Sequence, residues 1–195
     1  MRLLACACAV LIASFSGAAL AGVKVTEKVR SYAVSGNSGQ ALLDGMDRRG
    51  PKHGFLTRAI AQTSYTVSWK FEWGETAKAC RMKRADGLLA ITYTFPQASG
   101  ALSPDLKRKW ANFTTGVRKH ENTHGQIARR MVRAAEKSVD GLTIAGDRGC
   151  IKTRREVKRR MAAVYAEYEA RQVRFDAVEH REGGPVDKLI KALMR

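Results

Sequence analysis

The sequence predicts an α+β fold in which a small, mostly antiparallel sheet from the N-terminal half packs on two long C-terminal helices. Three observations carry this reading. Tyr65, Val67, Trp69, Phe71 and Trp73 fall at every second position, the period of a strand with one buried face. Leu106, Trp110, Phe113, Val117, His120, His124, Ile127 and Met131 follow alternating steps of four and three, which is one continuous helical stripe. Val157, Met161, Val164, Tyr168 and Phe175 mark the apolar side of a second long helix, from about Thr153 to near His180.

The elements follow in order. Arg2, the apolar run Leu3 to Ile12 and the small residues of Ala19-Leu20-Ala21 have the layout of a secretory signal. Residues 1–21 are therefore expected to be removed and residues 22–195 to form one exported domain, periplasmic or secreted. No later stretch is apolar enough for a transmembrane anchor. Val23 to Val34 mixes Val, Thr and Tyr with charges, as an edge or half-buried strand does. Gly36 to Gly39 interrupts it, Gln40 to Arg48 suits a short helix, and Gly50-Pro51 a turn. Gln62 to Trp73 is the alternating strand; Leu88 to Phe95 is another, closed by Pro96 and Gly100. Ser103-Pro104-Asp105 opens the first long helix with an N-cap serine, a proline at the first helical position and an acidic first-turn residue. Gly183-Gly184-Pro185 stops the second and leaves Val186 to Met194 as a short amphipathic tail.

Cys6 and Cys8 fall in the signal, which leaves Cys80 and Cys150. Two cysteines in an exported chain predict one disulfide, and without a C-x-x-C neighbour they make a poor metal pair. The formal net charge is +17. Such an excess favours anionic envelope polymers as surroundings or partners. The basic residues run along helix faces, in Arg129-Arg130, Arg154-Arg155 and Lys158-Arg159-Arg160, without the aromatic-interleaved strand that stacks bases. No specific nucleic-acid site is expected.

The chemistry concentrates in His120-Glu121-Asn122-Thr123-His124, an H-E-x-x-H box. Residues four apart share one helical face, so both imidazoles can hold one metal ion. Both lie within the apolar stripe, where buried imidazoles need partners. Glu121 between them suits the role of general base in zinc-dependent hydrolysis of a peptide or protein substrate. A catalytic zinc takes a third protein ligand. The position six residues beyond the second histidine is Arg130, so the elongated three-histidine signature is absent. Glu156, Glu167 and Glu169 on the second helix are candidates, as are Asp176 and His180, again four apart. His180 is preferred, with Asp176 either holding its other ring nitrogen or ligating in its place. His53 sits in a glycine-proline loop, where a solvated side chain is the default. Tyr165 and Tyr168 are the candidate oxyanion donors.

Tyr32-Ala33-Val34-Ser35-Gly36, Trp69, Cys80, Ile91-Thr92-Tyr93-Thr94-Phe95-Pro96, Trp110 with the His120–His124 box, and Phe175-Asp176 with His180 together resemble a bacterial domain-of-unknown-function family described as secreted zinc-dependent proteases. The resemblance covers nearly all of the chain after the signal. It implies a zincin-like fold, Zn2+ as cofactor, and an aromatic-Asp pair with a histidine near the C-terminus. The chain departs from that pattern at Phe175, where tyrosine is expected, and at Arg181, where glycine is usual. Three functions are thus expected candidates: a zinc metalloprotease, an amidase of cell-wall peptides, and a cationic envelope-binding module with a structural or vestigial metal site.

Overall fold

The computed structural model describes residues 23–53 and 57–195. The expected secretory signal, with Cys6 and Cys8, lies outside the described residues. Strand β1 (Lys24–Val34) leads to helix α1 (Gly39–Arg49), the two-residue strands β2 (Lys52–His53) and β3 (Thr57–Arg58), and the long strands β4 (Gln62–Glu75) and β5 (Ala79–Ala98). Helix α2 (Pro104–Val139), strand β6 (Thr143–Ala145), helix α3 (Ile151–His180) and helix α4 (Pro185–Met194) complete the chain.

The main sheet is a four-stranded one with β5 between β1 and β4, and β6 added to the start of β5. Two of its three pairings, β4 with β5 and β6 with β5, are antiparallel. The third, β1 with β5, is parallel, because the chain returns through α1 and β4 before β5 runs beside β1. The expected architecture is therefore the one observed: a mixed α/β protein with a small, mostly antiparallel sheet and helices packed on it.

β5 extends well beyond its apolar run. A register shift between Glu72 and Trp73 sets Trp73 opposite Met82 while Glu72 stays opposite Arg84, which leaves Lys83 as the extra residue of a β-bulge. The bulge changes the parity of the strand, so Met82 and Ala85, three apart, are both buried. Beyond it Leu89, Ile91, Tyr93 and Phe95 bury one face at every second position.

Helix α2 begins as the sequence indicates: the Ser103 side chain accepts from Leu106 N–H, and Pro104 holds the first helical position. It buries two stripes rather than one. The first holds Leu106, Phe113, Val117, His120 and Met131. The second, Glu121, Gly125, Ala128, Val132, Ala135 and Val139, is also buried and includes the small residues Gly125, Ala128 and Ala135. A Cβ on Gly125 would lie 2.0 Å from the Tyr93 hydroxyl, and one on Gly87 of β5 would lie 2.4 Å from Val132 Cγ1. These two glycines set how closely α2 approaches β5.

Helix α3 is tied down at its start. Asp147 accepts from the main-chain N–H groups of Lys152 (3.0 Å) and Thr153 (2.7 Å) and from the Thr153 hydroxyl (2.7 Å). The Cys80–Cys150 disulfide joins the same point to the second residue of β5, across 70 residues of sequence. Val157, Met161 and Tyr168 are buried, whereas Val164 and Phe175 are half-buried. Among the described residues no helix is long and apolar enough to cross a membrane.

Two stability changes are expected. Replacing both Cys80 and Cys150 by serine removes a loop constraint and lowers the free energy of unfolding by about 2–5 kcal/mol, read from urea denaturation of the oxidised protein and the variant. Gly125→Ala forces α2 away from Tyr93 and lowers stability by about 1–3 kcal/mol. Tyr93→Phe in the same chain recovers part of that loss by removing the obstructing hydroxyl; a double variant no better than the single one would show that the contact is not the cause.

Candidate metal centre

The antiparallel packing of α2 on α3 brings the H-E-x-x-H box against the last three turns of α3. His124 Nε2 lies 3.1 Å from His120 Nε2 and 2.9 Å from Asp176 Oδ1. His120 Nε2 lies 3.3 Å from the same oxygen. The ligand atoms of His120, Asp176 and His180 all fall within 4.8 Å of one another, with His180 Nε2 4.0 Å from Asp176 Oδ1. The four residues are thus brought together, with Asp176 in the inner position and the half-exposed His180 further out.

The outward-facing ring nitrogens have their own partners. Gln172 Oε1 lies 2.6 Å from His124 Nδ1, and the Gln172 amide donates to the His124 carbonyl at 3.2 Å. Glu179 Oε2 lies 3.5 Å from His120 Nδ1. A proton on each Nδ1 satisfies these acceptors and leaves a lone pair on each Nε2. Two imidazole lone pairs and a carboxylate oxygen then converge on one point without a donor among them. Asp176 Oδ1 is buried and has no hydrogen-bond donor. Three acceptors so placed repel one another unless a cation sits between them.

Zinc meets this donor set well. Ligand bonds of about 2.0–2.2 Å in a tetrahedron place ligand atoms about 3.3–3.6 Å apart. The observed separations of 2.9–3.3 Å are slightly tighter and need only a small outward adjustment. A proton on an Nε2, shared toward Asp176, is the competing occupant of the same point. Burial opposes charge on Asp176, yet His120 and His124, when a ring carries its proton toward the carboxylate, hold it well below the usual carboxylate range. Burial likewise pushes His124 down, but hydrogen bonds to Asp176 and Gln172 and the charges of Asp176 and Glu121 outweigh it and raise the imidazole. Burial and the neighbouring His120 push His180 down.

Glu121 lies on the other buried stripe of α2 and is only 6% exposed. The Thr63 hydroxyl of β4 donates to its Oε2 at 2.7 Å. Phe175 stacks on His120 with ring centroids 4.9 Å apart and meets His124 edge-on at 5.1 Å. It is a wall of the centre more than a core residue. A cleft of about 870 Å³ opens over these groups, lined by Ile60, Thr63, Tyr65, Glu169 and Val173 besides the box and Asp176.

Other sequence candidates lie elsewhere. Glu156 is paired with Arg159 and Arg160, Glu167 with Arg171, and Glu169 lines the cleft without joining the cluster. His53 falls in β2. Tyr165 accepts from Trp69 Nε1 at 2.5 Å, and Tyr168 is buried in the core; neither lines the cleft, whereas Tyr65 does. Thr63, Tyr65 and Glu179 have no sequence signal tying them to the box. Gln172 has a faint one, standing four residues before Asp176 on the polar line of α3.

No curated protein and no solved structure matches the chain. The family described as "Bacterial protein of unknown function (DUF922)" matches residues 29–184, and with most of its length so covered the chain belongs to that family.

Proposed function

We propose that this protein is an exported zinc-dependent peptidase in which His120, His124 and Asp176 hold the metal and Glu121 is the general base. The observation that carries the reading is the convergence of two Nε2 lone pairs and a donorless carboxylate oxygen beside a buried glutamate, inside a cleft. Zinc bound there supplies a Lewis acid that acidifies water and polarises a carbonyl. Glu121 takes the proton of the attacking water and returns it to the leaving amine. His180, further out, is the reserve ligand or closes the open side of the centre. Burial keeps the Tyr65 hydroxyl protonated, with Gln172 pulling the other way and Glu169 adding to the rise, so Tyr65 is suited to donate to a developing oxyanion.

A peptide is the favoured substrate because β4 is an outer strand of the sheet, and its Gln62, Thr63 and Tyr65 line the cleft. An outer strand offers unpaired N–H and C=O groups on which an extended chain can pair. The net charge of +17 favours a peptide carried on an anionic polymer, as in a cell wall, and equally supports a second reading, a cationic envelope-binding module with a structural metal.

Metal analysis of the purified protein after zinc is offered is expected to find about one zinc per chain, abolished by His120→Ala, strongly reduced by Asp176→Ala and less reduced by His180→Ala. A wild-type chain that stays metal-free sinks the proposal, and a larger loss in His180→Ala exchanges the roles of the last two residues. Glu121→Gln is expected to keep its zinc while turnover of peptide or cell-wall peptide substrates falls at least about a hundredfold. Undiminished function in that variant would put the binding module in front.

A further inference from the structure

Glu121 is almost wholly buried, yet as a base it must present one particular oxygen to the cleft. Its terminal torsion is soft, with two broad equivalent wells, so something must choose the orientation. Thr63, the second residue of β4, lies 2.7 Å from Glu121 Oε2 and 3.0 Å from the Glu121 main-chain carbonyl. A hydroxyl has one proton to give. The carboxylate oxygen is both nearer and the stronger acceptor, so Oε2 takes the main share and the carbonyl the lesser arm of a forked bond. No hydrogen bond reaches Oε1 among the described residues. Thr63 is itself anchored: it pairs across the sheet with Tyr93, whose hydroxyl abuts Gly125 of α2. One cross-strand pair therefore sets both the height of α2 above the sheet and the attitude of its carboxylate.

The geometry points to Thr63 as the positioning residue of Glu121: by occupying Oε2 it leaves Oε1 to carry the proton. The inference rests on the hydrolase reading above for its consequence in catalysis, but not for the hydrogen bond itself. The balance is simple. Water gives a proton to Oε1 as its oxygen forms the new C–O bond, and Oε1 returns that proton to the nitrogen as the C–N bond breaks. Oε2 accepts from Thr63 throughout, since the carbonyl oxygen of the protonated acid is still an acceptor. Thr63 neither gains nor loses a proton. Its loss lets the carboxylate rotate away from a reactive alignment without altering the metal ligands.

Thr63→Val keeps the shape and removes the hydroxyl; Thr63→Ser keeps the hydroxyl. Infrared spectra of protein with 13C-labelled glutamate carboxylates, with Glu121→Gln to assign the band, read the hydrogen bond directly. Steady-state kinetics on a mixed peptide pool and zinc analysis are run beside them. The valine variant is expected to shift the Glu121 band, to bind zinc as the wild type does, and to lose about tenfold to a hundredfold in kcat with KM changed less than about twofold. The serine variant is expected to match the wild type. An unshifted band in Thr63→Val, an unchanged kcat, or a serine variant as impaired as the valine one overturns the assignment. Thr63→Ala, read in the same way, replaces a valine variant that does not fold. A shifted band in a protein whose wild type hydrolyses no peptide supports the positioning of Glu121 and fails the hydrolase reading instead.

Discussion

Helix α2 is held between two surfaces, and most of what is distinctive in this protein depends on that double burial. Successive residues on a helix are turned by about 100°. His120 and Glu121 are neighbours in sequence, yet the first faces α3 and the second faces the sheet. A helix buried on one side only would expose one of them. The small residues Gly125, Ala128 and Ala135 let α2 come close enough to β5 for Thr63 to reach Glu121, while His120 on the first stripe meets Asp176 of α3.

The centre then depends on register along α3. Gln172 must meet His124, and Asp176 must reach both imidazoles, more than twenty residues from the point where α3 begins. That register is set at the far end. Asp147 satisfies the first free N–H groups of α3, and the Cys80–Cys150 bond fixes its start to β5. A helix is stiff over this length, so an anchor at one end aligns side chains at the other.

Charge is distributed in two scales. The whole chain is strongly cationic, but the cleft carries Asp47, Glu121, Glu169 and Asp176 against one arginine, Arg58. The cationic excess therefore lies outside the cleft, whose own lining is mostly acidic.

The sequence alone determined the local features. Period-two alternation in β4, the paired stripes of α2 and α3, the serine-proline start of α2 and the glycines before α4 are consequences of backbone geometry and cap chemistry, so each is legible within a dozen residues. The H-E-x-x-H box is legible for the same reason, since its spacing is a property of one helix. The parallel placement of β1, the full length of β5 and the bulge at Lys83 were decided by pairing between distant strands. Phe175 read as a core residue because its spacing along α3 is that of the buried face; only the packing of α2 showed it against the imidazoles. The tertiary structure likewise put Asp176 nearer the box than His180, and it alone linked Thr63 to Glu121 and Gln172 to His124. Those contacts join residues 48 to 58 positions apart. No local periodicity encodes such a distance; it arises from how two helices and a sheet share one core.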